Sequence, residues 1–308
     1  MKLKLDHDNF GRNYDNCYNW CKGFLGRYLV NFLQKQGLTV IPMDRQNCDL
    51  SIQSEVSSFF QTHPIDVLVH LASKVSPGRG GYQFHQQFNE TVLSVSHICQ
   101  SVPTTIKRLV LVGSIEEYGA NIAPFHEGMS PSSISTYGWG KIASFYAAQT
   151  ILRERKLEYC WVRPGLMYGS GIGENLFFGR VLHGCLRGES IDLTLGMQTR
   201  DFCYIKDASD QLKNIILYSG QWNGEIINIG SGVPRQLREV ALALQKKIGK
   251  GQLNFGKIPY RNGEVMDFYL CMKKYESYFG QLHLTEFNHS LDLLIDELSI
   301  SMSDYEST

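Results

Sequence analysis

The sequence carries no net charge, with thirty Lys and Arg set against thirty Asp and Glu, and no run of like charge stands out. That balance gives no electrostatic footprint for nucleic acid or a membrane surface, so a small molecule is the default partner. No apolar stretch is long enough for a signal peptide or a membrane-spanning helix. The eight cysteines, at 17, 21, 48, 99, 160, 185, 203 and 271, form no CxxC pair, and the nine histidines show no ligand spacing. A reduced, cytoplasmic chain without a resident metal is expected. Cys17 and Cys21, which could join Cys48 at a metal, lack a second matching pair and read as free thiols. Internal repeats, low-complexity tracts and clear linkers are also missing.

What is present is an ordinary globular composition. At 308 residues and 43% hydrophobic, the chain can bury a substantial core as one large domain, or as one domain with a smaller lobe. From residue 23 the pattern alternates. In "GFLGRYLVNFLQKQG", Leu25, Tyr28, Leu29, Phe32 and Leu33 recur at helical spacing and Gly37 follows as a C-terminal cap. "LTVIPMD" reads as a strand, "LSIQSEVSSFFQTH" as a helix, and "IDVLVHLA" as an apolar run buried on both faces of a parallel sheet. A helix over 84–101, the strand "RLVLVGS", a helix over 135–155 and the strand "YCWVRP" continue the series. Right-handed crossovers then place helices on both faces of the sheet. The pattern loosens after residue 165, with helices near 176–188, 207–219, 235–249 and 286–299 among short strands such as "GEIINIG". The expected fold is therefore α/β, a Rossmann-type doubly wound parallel sheet with a smaller α/β lobe. The expected segments are 1–22 as an aberrant N-terminus, 23–165 as the nucleotide-binding domain, 166–300 as predominantly a substrate lobe, and 301–308 as a frayed polar tail.

Three clusters carry chemistry. In "YGWGK", Tyr137 and Lys141 stand four apart and share one helical face. A phenol ordinarily titrates near 10, so proton transfer at neutral pH needs a neighbouring cation, which Lys141 is spaced to supply. In "LVLVGSIEEYG", an apolar strand delivers Ser114 at its carboxyl end, where open α/β sheets bind ligands. The bland alternative makes Ser114 a turn residue and Glu116 and Glu117 a solvated loop. Gly23 and Gly26 open a helix, and Asp44 ends the next strand about 20 residues on, a spacing suited to a pyrophosphate at the helix N-terminus and an acid at the ribose.

Together with "MDR", "CDL", "VLVHLAS", "VRPGLMYGSG", "RDFCYIKD" and "NIGSG", these clusters resemble the extended short-chain dehydrogenase/reductase family, specifically its nucleotide-sugar epimerases, dehydratases and 4-keto reductases. The resemblance implies that Tyr137 is the catalytic acid/base, that Lys141 lowers its pKa and holds the nicotinamide ribose, and that Ser114 hydrogen-bonds the sugar oxygen. Glu116 occupies the position of the dehydratases' glutamate, but the Asp that precedes it in glucose-type dehydratases is Ile115 here. It further implies a cofactor site formed by Gly23, Phe24, Leu25, Gly26, Asp44, Arg45, Asp49, Leu50, Leu71 and Ala72. Ser73, Asn89, Tyr168 and Arg200 would join Ser114 at the substrate, a nucleotide-diphosphate sugar, with Arg200 at its diphosphate. Asp44 favours NAD, because a carboxylate repels a 2′-phosphate; Arg45 beside it keeps NADP as the alternative. A homodimer through two helices per subunit is implied as well. Loss of a hydride from the sugar requires loss of the hydroxyl proton, so Tyr137 would act as base and a 4-keto sugar would form. A 4-epimerase is the leading expectation, with a 4-keto-6-deoxy-sugar reductase and then a 4,6-dehydratase as alternatives.

The N-terminus departs from the resemblance. The family pattern asks for an apolar strand and then TGxxGFLG, with Thr at 19 and Gly at 20, whereas this chain has Asn19 and Trp20. Asn9, Asn13, Asn16 and Asn19 lie among charges and cysteines, a composition that suits no buried parallel strand. The first strand is expected to be absent or atypical. Read one nucleotide later, the codons of "NYDNCYNWCK" can encode only Ile, Thr, Met, Val or Ala, then an obligatory Gly from Trp20 and Cys21, then Val or Ala and Lys or Arg before Gly23. This is the missing strand and loop, so a frameshift over this tract is expected. In the rival reading "MKLKL" supplies the strand and residues 6–22 form an inserted loop, which is uncommon at that length in a compact fold. If the tract is real, the chain is expected to be an inactive relative with a disrupted cofactor loop.

Overall fold

The fold is organised by strands whose side chains are buried on both faces and by helices with one apolar stripe. The structure is a computed structural model that describes residues 17–20, 23–71 and 84–306. The nucleotide-binding half runs β1 (Cys17–Trp20), α1 (Phe24–Lys35), β2 (Val40–Met43), α2 (Gln53–Thr62), β3 (Val67–His70), α3 (Phe84–Ser101), β4 (Arg108–Val112), α4 (Thr136–Glu154) and β5 (Tyr159–Pro164). It continues as β6 (Leu166–Tyr168), α5 (Phe177–Leu186), β7 (Ser190–Leu193), β8 (Thr199–Tyr204), α6 (Ile205–Ile216), β9 (Asn223–Ile229), β10 (Pro234–Gln236), α7 (Leu237–Ile248), β11 (Gln252–Phe255), β12 (Asp267–Phe268), α8 (Lys273–Phe279) and α9 (Phe287–Glu306).

The main sheet has the order β2-β1-β3-β4-β5-β9 and every pair in it is parallel. All the residues of β3, β4 and β5 are buried, as strands covered by helices on both faces require. Two apolar cores result. One holds Leu25, Leu29 and Leu33 of α1 with Val67, Val110 and Val162. The other holds Val56 and Phe59 of α2 with Leu68, Leu109 and Trp161. The order reverses between β1 and β3, because α1 leads outward to β2 and α2 crosses back. Ligands of such sheets bind at the carboxyl ends of the strands beside that reversal; here Gly23 follows β1 and His70 ends β3.

Several expectations meet differences. Of the alternatives absent or atypical, the first strand is atypical: Cys17–Trp20 pairs in register with both β2 and β3, despite its Asn and Trp. "MKLKL" lies outside the described residues. The strand "GEIINIG" was expected in the smaller lobe; instead it is β9, which hydrogen-bonds β5 as the last strand of the main sheet. α6 likewise packs against α1, so the chain after residue 165 returns to the first half. The polar tail expected from residue 301 is helical through Glu306. Trp161 and Trp222 are fully buried as expected, but Trp139, expected to pack in a core or lobe interface, is 47% exposed on α4.

The smaller lobe is built on a β10-β8-β12 sheet, with β6 also paired to β8, and on the β11-β7 pair. Asp201 ties it together. Its buried carboxylate accepts from the Ser231 amide and hydroxyl and from the amides of Gly232 and Leu270. No helix among the described residues is long and apolar enough to cross a membrane.

Candidate active site

β4 and α4 meet at the carboxyl edge of the sheet. Ser135 caps α4 by accepting from the Gly138 amide at 3.1 Å, a side-chain cap on an otherwise orphan donor. The helix then presents Tyr137 and Lys141 on one face, with Lys141 Nζ 5.9 Å from the centre of the Tyr137 ring. Lys141 is 1% exposed and donates to the Val112 carbonyl at 2.7 Å. Burial lowers its pKa to about 8, and the negative charge of Glu117 opposes that fall. Tyr137 is partly exposed, so one partner faces the crevice while its cation stays dry.

Ser114 leaves β4 and caps a short 3-10 turn, Ile115–Glu117. Its hydroxyl oxygen accepts from the Glu116 amide at 3.1 Å, which leaves the O–H to donate. The turn packs on α4: an added Cβ on Gly138 would lie 2.6 Å from the Glu116 carbonyl oxygen. Ser114, Tyr137 and Lys141 therefore belong to one corner. Glu116 is half-buried, and its carboxylate accepts from the Ser135 hydroxyl at 3.0 Å.

Glu117 overturns the solvated-loop reading. It is 0% exposed, and its Oε1 accepts from the Ser114 amide at 2.9 Å and the Trp161 indole at 3.0 Å. Its Oε2 accepts from Arg163 Nε at 2.7 Å, in a pair buried on both sides. Arg163 also stacks over the Tyr118 ring at 4.6 Å. The only trace of this in the sequence is a charged Arg163 inside the apolar strand "YCWVRP", which demands a buried counter-charge. His70, at the end of β3, is also buried; its Nε2 has no hydrogen-bond partner among the described residues. Burial, with the nearby Lys141 charge, lowers its pKa to about 3.

The remaining expected residues distribute as follows. Gly23 is the N-cap of α1; there is no side-chain cap, no acid in the first turn, and open space where a Cβ would stand. Phe24 is half-buried and Leu25 and Gly26 are buried. Asp44 follows β2 and accepts from the Gln46 amide, while Arg45 extends into solvent 3.9 Å from Asp49. Hydrogen bonds from the Ser51 amide and hydroxyl hold the Asp49 carboxyl below the usual range. Leu50 is buried and Leu71 half-buried. Asn89 is exposed on α3. Ala72 and Ser73 lie outside the described residues.

Two expected substrate contacts are already engaged within the protein. Tyr168 is 2% exposed, stacks on Phe178 and shares a hydrogen bond with Ser290 of α9. It still borders a cavity of about 300 Å3 with Asp207 and Arg235. Arg200 pairs with Glu264 and donates to the carbonyls of Thr199 and Val265. No group of three His, Cys, Asp or Glu side chains among the described residues is placed to hold a metal ion.

The model of the NAD dependent epimerase/dehydratase family matches residues 21–230. The chain belongs to that family. The GDP-L-fucose synthase of Sinorhizobium fredii is 26% identical over 253 residues, covering 76% of this chain and 80% of the relative. The UDP-glucuronate 4-epimerase of Thermodesulfobacterium geofontis is 23% identical over 268 residues, covering 76% and 82%. Among solved structures, the UDP-glucose 4-epimerase of Thermotoga maritima with UDP-glucose superposes with a TM-score of 0.82 at 20% identity, over 93% of this chain and 99% of that one. Family membership makes this an NAD(P)-dependent enzyme of nucleotide-sugar epimerase/dehydratase type. The uncapped N-terminus of α1, with space at Gly23 and Asp44 at the end of β2, fits the pyrophosphate and ribose of such a cofactor.

Proposed function

We propose that the protein is a 4-epimerase of a nucleotide-diphosphate sugar, with Tyr137, Lys141 and Ser114 handling the sugar's C4 oxygen. The observation that carries this reading is the shared face of Tyr137 and Lys141 beside the Ser114 turn. Tyr137 takes the C4 hydroxyl proton as base and returns it as acid. Lys141, held protonated against the Val112 carbonyl, stabilises the phenolate. Ser114 donates its O–H to the same sugar oxygen as carbonyl character develops. Bound NAD, along Gly23–Gly26 and Asp44, supplies the hydride acceptor. Arg200 would reach the diphosphate only by exchanging its bond to Glu264.

Incubating the protein, with the frame-shifted residues restored over 13–22, with a panel of nucleotide sugars, with and without NADPH, tests the assignment. Conversion of a sugar to its C4 epimer without added reductant supports it. Consumption of NADPH by a 4-keto sugar instead establishes the reductase, a reading favoured by the GDP-L-fucose synthase relative. The link from Ser135 to Glu116, and Ile115 in place of an acid, count against a dehydratase.

Two further parts belong to this reading. The family match begins at residue 21, beside the change of character at residue 22, which supports a frameshift over residues 13–22; as written, the chain would hold NAD weakly. Leu93 of α3 and Trp139 and Tyr146 of α4 are 43%, 47% and 50% exposed on helices that pack together. They support a homodimer through α3 and α4, which light scattering of the purified protein checks.

A further inference from the structure

The end of β4 is held from two sides. At Val112 the carbonyl accepts from the Lys141 ammonium, and two residues on the Ser114 amide donates to the Glu117 carboxylate. Between them the Gly113 amide donates to Val162 of β5 at 2.7 Å. Gly113 itself has no room for a side chain: an added Cβ would lie 2.0 Å from Glu117 Oε1 and 2.3 Å from the Trp161 indole nitrogen. A buried cation and a buried anion thus grip one three-residue segment, and that segment delivers Ser114.

A buried carboxylate is costly unless its lone pairs and charge are met. Glu117 meets that condition with three donors, one of them the Arg163 guanidinium. An apolar side chain at this position would leave the Arg163 guanidinium, the Trp161 indole N–H and the Ser114 amide buried without this acceptor. The carboxylate supplies what an apolar group cannot, an acceptor for the Ser114 amide and a negative charge beside Lys141. We propose that Glu117 is a positioning residue of the active site, fixing the Ser114 backbone and keeping Lys141 protonated.

This rests on reading Tyr137 and Lys141 as the proton-transfer pair. Three charged or titratable groups bear on Lys141, and Arg163 bears on it through Glu117. Glu117 lies on the turn and Arg163 on β5 behind it; His70 is on β3 and Tyr137 on the same helix. Glu117 raises the proton affinity of Lys141. Arg163 offsets that anion, and a charged His70 would oppose Lys141, but His70 stays neutral above its pKa of about 3.

The test is the titration of Lys141 followed by NMR of 13Cε-lysine in the ligand-free protein, with Lys141→Met identifying the signal. Glu117→Gln keeps the shape and removes the charge; its Lys141 midpoint is expected to fall by about one unit. Glu117→Asp retains the charge one methylene further back and is expected to restore the midpoint. An unchanged midpoint in folded Glu117→Gln overturns the proposal. Should that variant fail to fold, the paired Glu117→Gln and Arg163→Gln variant, which leaves neither buried charge unmet, reads the same field: the midpoint falls if the proposal holds, and its staying fixed rejects it. In turnover, the alkaline limb of kcat moves with the Lys141 midpoint, whereas a purely structural Glu117 lowers kcat without moving that limb. Because the NMR titration needs no substrate, absence of epimerisation by the NAD-loaded protein would sink the proposed activity while leaving the role of Glu117 separately decided.

Discussion

Lys141 reaches back from α4 to within 2.7 Å of the Val112 carbonyl oxygen, so one buried cation joins the helix that carries Tyr137 to the strand that ends in Ser114. Chemistry and architecture therefore share an atom. Changes to the Lys141 charge are expected to alter proton transfer and the seating of the helix together.

The first prediction concerns alkaline pH. Lys141 has its pKa lowered to about 8 by burial, so the protonated form needed beside a phenolate is lost as pH rises through that value. The kcat of the active protein is expected to decline above about pH 8. Tyr137→Phe is expected to lose about 10²–10⁴-fold in kcat while remaining folded. Retention of activity in that variant would refute the role given to the phenol.

Acid pH should act through His70. Its folded pKa of about 3 lies below the unfolded value of 6.5, so the unfolded chain binds the proton more readily between those limits. The stability held by neutral His70 is complete above about pH 6.5 and is lost as pH falls toward 3. His70→Leu, which also removes a buried nitrogen without a partner among the described residues, is expected to be at least as stable at pH 7.5 and less acid-sensitive. Thermal unfolding at pH 7.5 and pH 5 compares the two proteins.

Gly113→Ala tests the crowding at the end of β4. The new methyl would overlap the Glu117 carboxylate and the Trp161 indole, so a destabilisation of ~1–3 kcal/mol is expected, with a fall in kcat as Ser114 shifts. Denaturant unfolding and turnover measure both.

Residues 13–22 give the fourth prediction. A chain carrying the frame-shifted residues over this tract is expected to retain bound NAD through purification, while the chain as written retains little. Absorbance and mass spectrometry of the denatured supernatant distinguish them. Equal NAD in both would show that Trp20 is compatible with the cofactor.

Much of this was legible in the sequence because it rests on local patterns. Every helix and strand expected between residues 23 and 165 is present, since apolar periodicity and a stop such as Gly37 are written in consecutive residues. The shared face of Tyr137 and Lys141 follows from helical spacing alone. Glu117 was not legible, because its partners Trp161 and Arg163 stand more than forty residues away and only the β4–β5 pairing brings them near. The same holds for Tyr168 and Arg200, whose hydrogen-bond partners Ser290 and Glu264 are supplied by segments far along the chain. The β1 pairing exceeded its composition: a four-residue span with Asn and Trp takes an interior place, between β2 and β3, because neighbours on both sides pair with its backbone.

The pairing of β9 with β5 sets an order on biosynthesis. A nascent chain released at residue 165 would carry the bare edge of Tyr159–Pro164, a row of unanswered amides and carbonyls flanked by apolar side chains. Only when the ribosome has delivered residue 229 does that edge find its mate. The cofactor half is completed only by a strand from far along the chain, and fragments cut near the middle are expected to aggregate more readily than the whole protein.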